Sequence, residues 1–277
     1  MSVELPVARV VHLSDLHFGD QFENREEWWH EVFARTPLQG RYRHDYAAAV
    51  SLRLILEEIR ADAAAHGVPL VVVHTGDLTA AGKEAEFAVG AAFLQGLGEV
   101  HEVPGNHDLW GYEAGQAPGW YSRHFPDLLP VICLGGRIIL YRLNSNKHSE
   151  PFWDATGRVE LSAVEEMRAH AALHPAAIRV VLMHHPIRVT GAADEALLRL
   201  DDREQVGELL GGMDVVMSGH VHVSQAHTAA DRGPMQCIAG TATQMGHGKS
   251  FLVTDVYEGG FDVREYGMRG LQFAETD

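Results

Sequence analysis

The sequence predicts an α/β fold in which a mainly parallel sheet packs on a second sheet. Short apolar runs, rich in β-branched residues, recur along the 277-residue chain, and each ends in a polar or glycine-rich turn. This is the pattern of buried strands. Segments with apolar residues near a 3.6-residue period lie between several of these runs, which is typical of helices that pack on a sheet. Strands and helices therefore alternate, as they do in parallel α/β sheets.

The individual elements follow in chain order from these two patterns. Strands are expected where an apolar run stops at turn residues, at 7–13, 70–74, 99–103, 131–134, 138–143, 178–183, 214–217, 235–239, 250–257 and 261–266. Helices are expected at 45–65, 83–95, 161–173 and 203–210. Asp45 is a suitable N-cap for the first helix, because its carboxylate can accept from an unpaired backbone N–H. The hairpin around Gly135-Gly136 and the C-terminal strands are expected to build the second sheet.

Length and composition predict one globular domain, residues 1–277. Apolar residues make up 46% of the chain and charged residues 22%, which is ordinary for a folded domain, and no repeat or linker divides it. Two features stand apart, a long insert at 20–44 and a C-terminal strand tail at 235–266. The two cysteines, Cys133 and Cys237, are too few for a disulfide framework and too far apart for a thiolate zinc site.

The charge and hydropathy patterns exclude several partners. The formal net charge of −16 repels polyanions, so we expect neither a broad nucleic-acid surface nor an anionic membrane as a partner. No window holds about 18 uninterrupted apolar residues, and the N-terminus lacks the basic and apolar regions of a secretion signal. We therefore expect a cytoplasmic protein with a small-molecule partner, and a homo-oligomer stays open.

Polar clusters that follow five of the predicted strands are the candidate functional residues. They comprise Asp15, His17, Asp77, Asn106, His107, Asp108, His184, His185, His220 and His222. Each cluster alone is weak evidence, because a Gly-Asp pair after a strand is usually only a turn and a His-x-His pair can arise by chance. Ligands of α/β sheets, however, bind beyond the carboxyl ends of the strands. Five clusters in this position predict one shared site.

The donor types predict a transition-metal site. Seven donors mix carboxylate, amide and imidazole without any thiolate, namely Asp15, His17, Asp77, Asn106, His184, His220 and His222. Such a set suits Mn or Fe, with Zn as an alternative, rather than calcium or a cysteine-rich structural zinc site. Seven donors are too many for one tetrahedral ion and suit two ions that share a bridging carboxylate. Two-metal sites activate water and hold the oxygens of a displacement at phosphorus.

The same clusters resemble the motifs of the calcineurin-like metallophosphoesterases and are most similar to the class III cyclic nucleotide phosphodiesterase branch. All five blocks are intact: Asp15-x-His17, Gly76-Asp77, Gly105-Asn106-His107-Asp108, His184-x-Pro186 and Gly219-His220-x-His222. The resemblance implies a four-layer α-β-β-α sandwich, in which two mixed sheets pack face to face between flanking helices. It also implies a dinuclear metal centre.

Roles for single residues come from the resemblance as well. It implies one ion on Asp15, His17 and His222, and a second ion on Asn106, His184 and His220. Asp77 would bridge the two ions. His107 would contact the phosphate and protonate the leaving oxygen, so that the expected substrate contacts are Asn106, His107 and His222.

Several neighbouring residues keep alternative interpretations. His107 could instead be a third metal ligand or a solvent-exposed histidine. Asp108 could orient an imidazole, but a helix cap is favoured. His185 is expected to point away from the metals, and His12 and His74 are expected to be satisfied histidines of the core or beside the site.

The expected activity is hydrolysis of a small phosphodiester, of the cyclic nucleotide or glycerophosphodiester type, by attack of a metal-bridging hydroxide. A phosphomonoesterase or nucleotide pyrophosphatase on the same centre is the alternative. The acidic charge disfavours a DNA nuclease, and the complete ligand set disfavours a non-catalytic scaffold.

The insert at 20–44 is long for a connection and carries Trp28, Trp29, Arg35, Arg41 and Arg43. We expect it to cover part of the site or to reach a second subunit, although packing on the outer face is the simpler possibility.

Overall fold

A computed structural model of the protein describes residues 4–19, 44–109, 119–126, 129–147, 155–191, 198–228, 233–244 and 248–276. The predicted insert therefore lies outside the described residues except for its last residue, His44. The described strands form two six-stranded sheets. Among the described residues, no helix is long and apolar enough to cross a membrane.

The first sheet combines three parallel N-terminal strands with an antiparallel C-terminal meander. Its strands are β1 (Ala8–Leu13), β2 (Leu70–His74), β3 (Val100–Glu102), β10 (Ser250–Tyr257), β11 (Gly260–Arg269) and β12 (Gln272–Glu275). Their order is β12-β11-β10-β1-β2-β3. β1 is parallel to β2 and antiparallel to β10, so the end of the chain returns to the strand that begins it.

The second sheet has a similar mixed plan. Its strands are β4 (Val131–Leu134), β5 (Ile138–Arg142), β6 (Ile178–Leu182), β7 (Val215–Ser218), β8 (Gln225–His227) and β9 (Met235–Ile238). Their order is β4-β5-β6-β7-β9-β8. The four central strands are parallel, and β4 and β8 are antiparallel edge strands.

Helices cover the outer face of each sheet. They are α1 (Tyr46–Ala65), α2 (Glu84–Gly96), α3 (Trp120–His124), α4 (Leu161–Ala172) and α5 (Arg203–Leu209). Asp45 caps α1 as predicted, since its carboxylate accepts a hydrogen bond from the Ala47 backbone N–H at 3.0 Å. The cap marks the start of α1, directly after His44, the last residue of the insert.

Three apolar layers hold the sandwich together. Between the sheets lie side chains such as Val10, Val73, Leu140, Val180 and Met217. The layer between the first sheet and the helices α1 and α2 contains Val11, Leu13, Leu52, Leu56 and Phe87. The layer between the second sheet and the helices α4 and α5 contains Tyr141, Val164, Val181, Val206 and Val216. Successive strand residues alternate between the inner and outer layers because side chains of a strand point to opposite faces. The predicted four-layer α-β-β-α sandwich is therefore confirmed.

One part of the predicted topology is wrong. The hairpin and the C-terminal strands do not form a sheet of their own. The β4–β5 hairpin pairs with β6, whereas β10 and β11 extend the first sheet from β1. β9, from the predicted tail, lies in the second sheet beside β7. The reason is that β1 and β10 are both buried along nearly their whole length, so each needs a strand on either side.

Most predicted bounds agree with the structure to within one residue. The exception is the segment 261–266, which belongs to the longer strand β11. The prediction omitted α3, β8 and β12, which are short elements of five residues or fewer. Unlike the equally short β4 and β7, the strands β8 (Gln225–His227) and β12 (Gln272–Glu275) contain no run of apolar, β-branched residues.

Candidate metal centre

The turns after the strands bend in a way that L-amino acids rarely adopt. Five non-glycine residues among the described positions have a positive φ between 45° and 74°, namely Asp15, His17, Asp77, His220 and His222. All five belong to the seven predicted ligands. The left-handed conformation costs roughly 1–2 kcal/mol per residue, and strain of this kind collects where function requires it. The backbone therefore gives up stability to aim these side chains at one point.

Close backbone contacts bring the turns together. A Cβ atom on Gly105 would overlap Asp77, and one on Gly219 would overlap Ser14. Only glycine allows the turn after β3 to touch the turn after β2, and the turn after β7 to touch the turn after β1. The two sheets contribute to the same site for this reason.

The first group of donors consists of Asp15, His17 and His222, whose ligand atoms lie within 4.8 Å of one another. His222 Nε2 lies 3.1 Å from Asp15 Oδ1 and 3.1 Å from His17 Nε2. Asp15 is fully buried, and its Oδ1 accepts no hydrogen bond from the described residues. Burial alone would raise the pKa of Asp15, but His222 and His17 hold it well below its usual value. The first group thus keeps a buried carboxylate ionised.

The second group consists of Asp77, His184 and His220. His184 Nε2 lies 3.3 Å from Asp77 Oδ2, 3.1 Å from Asn106 Oδ1 and 3.1 Å from His220 Nδ1. Asp77 Oδ2 also lies 3.7 Å from His17 Nε2 in the first group. One carboxylate oxygen therefore stands between the two groups, and the structure brings all seven predicted ligands together.

The hydrogen bonds of His184 test whether this arrangement suits a cation. Its Nδ1 lies 2.7 Å from the Thr75 carbonyl oxygen, which can only accept. Nδ1 therefore carries the hydrogen. In the neutral ring, the lone pair of Nε2 faces the acceptor Asp77 Oδ2. Two buried acceptors repel each other unless a proton or a metal ion lies between them. Burial would lower the pKa of His184, but Asp77 and Asp15 raise it to about 9. The site favours positive charge at this position, and the donor set fits a dinuclear metal centre.

His107 lies at the open side of the two groups. Its backbone N–H donates to Asp77 Oδ1 at 2.8 Å, and its Nδ1 donates to the Ala80 carbonyl oxygen at 2.7 Å. Its Nε2 is 4.0 Å from Asp77 Oδ2, and its side chain is 24% exposed, against 2% for Asp77. Burial lowers the pKa of His107 to about 4, although Asp77 favours the protonated ring. The donors of His17, Asp77 and His107 also lie within 4.8 Å of one another.

Asp108 does not cap a helix, and the prediction of a cap is wrong. It lies inside the short 3-10 helix His107–Leu109 and is 1% exposed. Its carboxylate accepts hydrogen bonds from the backbone N–H groups of Leu78, Thr79 and Gly105 and from the Thr79 hydroxyl, at 2.8–3.2 Å. Asp108 therefore joins the turn that carries Asp77 to the turn that carries Asn106.

The remaining histidines of the strand ends have separate environments. His185 is fixed by Ser145 Oγ at Nδ1 and by the Ala155 carbonyl oxygen at Nε2, both at 3.0 Å, so neither nitrogen faces the donor groups. His12 Nε2 lies 3.0 Å from Thr75 Oγ1, whereas its buried Nδ1 has no hydrogen-bond partner among the described residues. His74 is buried, and neither of its nitrogens has a hydrogen-bond partner among the described residues. The expectation that His74 is satisfied is not supported by these contacts.

Two residues next to the first group received no role from the sequence. The ring of His44 lies 4.8 Å from that of His17, and its Nδ1 lies 2.7 Å from Thr243 Oγ1. Gln244 Oε1 lies 2.9 Å from His222 Nδ1. The insert begins shortly after the Asp15-x-His17 block and ends at His44. Its last residue could therefore have been expected to lie near His17. No sequence signal pointed to Gln244.

Comparisons with known proteins agree with this geometry. A profile of the calcineurin-like phosphoesterase family matches residues 8–224, and no curated protein matches the chain. A solved dimetal phosphatase from Danio rerio is 15% identical with a TM-score of 0.66, and the match covers 98% of both chains. A 5'-nucleotidase from Candida albicans is 13% identical with a TM-score of 0.55, covering 97% of this chain and 53% of that one. At such low identity the solved structures establish similarity of fold.

Proposed function

The chain belongs to the calcineurin-like phosphoesterase family, and from this premise we propose that it is a dinuclear-metal phosphohydrolase that cleaves a bond of a small phosphodiester. The observation that carries the proposal is the position of Asp77 Oδ2. It lies 3.3 Å from His184 Nε2 in one donor group and 3.7 Å from His17 Nε2 in the other. A carboxylate that reaches both groups is what two neighbouring cations need, because it offsets part of their mutual repulsion.

Each proposed ligand belongs to one ion or bridges both. Asp15, His17 and His222 would hold the first ion, Asn106, His184 and His220 would hold the second, and Asp77 would be shared by both. The proposed metals are Mn or Fe, with Zn as the alternative, because oxygen and imidazole donors meet without a thiolate. When bound, the two ions supply an activated water and neutralise charge on the phosphate.

The protein side chains would orient the substrate and move the proton. His107 is suited to contact a phosphate oxygen through Nε2, because its Nδ1 is already engaged by the Ala80 carbonyl oxygen. A bound phosphate brings negative charge, which favours the protonated ring. His107 would then pass the Nε2 proton to the leaving alkoxide. Asn106 and His222 would contact the same phosphate from the two metal positions.

A diester is the preferred substrate class. A diester carries one negative charge at neutral pH, whereas a monoester carries close to two, and the protein has a formal net charge of −16. The electrostatic cost of approach is therefore lower for the diester. The similarity of the five motif blocks to the class III cyclic nucleotide phosphodiesterases supports the same choice.

The test compares one diester with one monoester. Metal-free protein is reconstituted with Mn²⁺, and kcat/KM is measured for bis(p-nitrophenyl) phosphate and p-nitrophenyl phosphate. We expect a higher kcat/KM for the diester, and no turnover by Asp77→Asn, with Asp262→Asn on the exposed face of β11 as the matched control. Preference for the monoester would favour a phosphomonoesterase on the same centre. Absence of turnover with both ions bound would refute the proposed hydrolase.

The natural substrate is then sought among cyclic nucleotides, glycerophosphodiesters, nucleotide pyrophosphates and phosphomonoesters. The panel is assayed with the same Mn²⁺-loaded protein, and kcat/KM ranks the classes. A small diester is expected to lead. A pyrophosphate bond that is cleaved faster than every diester would replace the proposed specificity while keeping the metal centre.

A further inference from the structure

Gln244 contacts a metal-ligating side chain but has no place in the roles assigned so far. It follows β9, is 2% exposed, and its Oε1 lies 2.9 Å from Nδ1 of His222. On the other side of the ring, Nε2 of His222 lies 3.1 Å from Asp15 Oδ1. The imidazole is therefore held between Gln244 and the first donor group.

The orientation of the Gln244 amide decides which nitrogen of His222 carries the hydrogen. With Oε1 toward the ring, Nδ1 must donate. In the neutral ring, Nε2 then keeps a lone pair that can bind a metal ion. With the NH₂ group toward the ring, Nδ1 would accept, and Nε2 would carry a hydrogen directed at Asp15. Only the first arrangement gives a ligand, because a metal binds the deprotonated nitrogen.

The turn that carries Gln244 is itself fastened to the first donor group. Thr241 Oγ1 donates to the Asp15 carbonyl oxygen at 2.6 Å, and Thr243 Oγ1 donates to the Leu16 carbonyl oxygen at 3.0 Å. The backbone of Gln244 also pairs with His44 in an isolated antiparallel bridge. Gln244 is thus held in register with Asp15 by contacts other than its own side chain, so its amide is placed for His222 before any ion binds.

His184 of the second group and His222 of the first group are oriented by different kinds of partner. His184 of the second group donates to a backbone carbonyl, that of Thr75, at 2.7 Å. A backbone carbonyl is an acceptor whatever the side chain at that position. His222 of the first group depends on a side chain instead, so a substitution of Gln244 can change one group and leave the other intact.

We propose that Gln244 is the positioning residue for His222, and that its amide oxygen sets the tautomer that gives the first metal ion its affinity. The part that concerns metal affinity rests on the proposed function, whereas the part that concerns the tautomer does not. Partners of metal-bound histidines are typically worth 10–100-fold in metal affinity. We expect a loss of this size at the first ion and none at the second.

The test uses Gln244→Leu, which removes the acceptor, and Gln244→Glu, which keeps it. Gln272→Leu is the matched control, because Gln272 is exposed on β12. Calorimetric titration of metal-free protein with Mn²⁺ should show Gln244→Leu losing about 10–100-fold in affinity for one ion only. Gln244→Glu should retain both affinities, because a carboxylate can only accept and therefore keeps the hydrogen on Nδ1.

The second readout is the ¹⁵N NMR tautomer of His222 in the metal-free protein. We expect Nδ1 to carry a hydrogen in the native chain and in Gln244→Glu, whether or not Nε2 is also protonated, and a lower fraction of Nδ1–H in Gln244→Leu. Unchanged tautomer and affinities in Gln244→Leu would overturn the proposal, and so would a Gln244→Glu variant that behaves like Gln244→Leu. If the native chain bound no Mn²⁺, the proposed function would fail, but the tautomer measurement would still decide the role of Gln244.

Discussion

Replacing Asp108 by alanine would remove the connection between two turns of the metal centre. The Asp108 carboxylate accepts four hydrogen bonds, from the backbone N–H groups of Leu78, Thr79 and Gly105 and from the Thr79 hydroxyl. The residue is 1% exposed, so bulk water does not reach these donors in the native structure. The variant Asp108→Ala therefore leaves several buried donors without an acceptor.

The expected loss can be worked out from these contacts. An unsatisfied buried donor costs about 1–3 kcal/mol, and the Thr79 hydroxyl is left out of the sum because a hydroxyl, unlike a backbone N–H, can rotate. The three backbone N–H groups that remain give a loss of at least about 3 kcal/mol at the lower limit of that range. Asp108→Asn keeps one of the two acceptor oxygens and replaces the second oxygen by an NH₂ group, which faces the donors that this second oxygen served. We therefore expect an intermediate loss of stability. The loss expected for Asp108→Ala is a large share of the free energy of unfolding of a typical domain, which is about 5–15 kcal/mol.

Urea denaturation of the metal-free proteins measures the effect. The control is Asp262→Ala, whose side chain is 61% exposed and should change the free energy of unfolding by no more than about 0.5 kcal/mol. Because Asp77 and Asn106 lie on the joined turns, Asp108→Ala should also weaken Mn²⁺ binding. A loss of stability below about 1 kcal/mol in Asp108→Ala would refute the reasoning, since it would mean that the donors find other partners.

Three further predictions concern single side chains. Asp77→Ala should lose at least one metal ion and more activity than His17→Ala, and equal losses with both ions retained would contradict the bridging role. His107→Ala should keep both ions in elemental analysis but lower kcat by about 10²–10⁴-fold, less so for a p-nitrophenolate leaving group, which needs no proton; release of an ion would make His107 a ligand. Burial raises the pKa of the Cys237 thiol to about 12, so at pH 8 only the exposed Cys133 should react with an aromatic disulfide reagent. Two fast-reacting thiols in the native protein would contradict that environment.

The strands and helices were predictable because each is encoded locally. The run at 70–74 is apolar, ends at a turn, and forms β2 with the same bounds. The pairing of β1 with β10 was not predictable, because it joins segments that are about 240 residues apart and each is buried along nearly its whole length. The ion pair between Arg9 and Asp255 joins the two strands in the fold, but charged residues are common along the chain and this pair could not be singled out from the sequence.

The donor residues of the candidate metal centre could be proposed from the sequence, whereas the contacts that hold those residues in place could not. The seven donors stand in short blocks after strands, and the structure brings them together. The contacts of Asp108 and Gln244 join distant parts of the chain, and neither residue type by itself indicates such a contact. Their roles follow from burial and from the acceptor geometry, which only the folded chain provides.

The most direct test of the dinuclear phosphohydrolase is a metal titration followed by activity. Metal-free protein is titrated with Mn²⁺ while bound metal and hydrolysis of bis(p-nitrophenyl) phosphate are measured on the same samples. The account predicts that activity rises until two ions are bound per chain and then stays constant. Full activity at one bound ion, or no hydrolysis when two are bound, would contradict it.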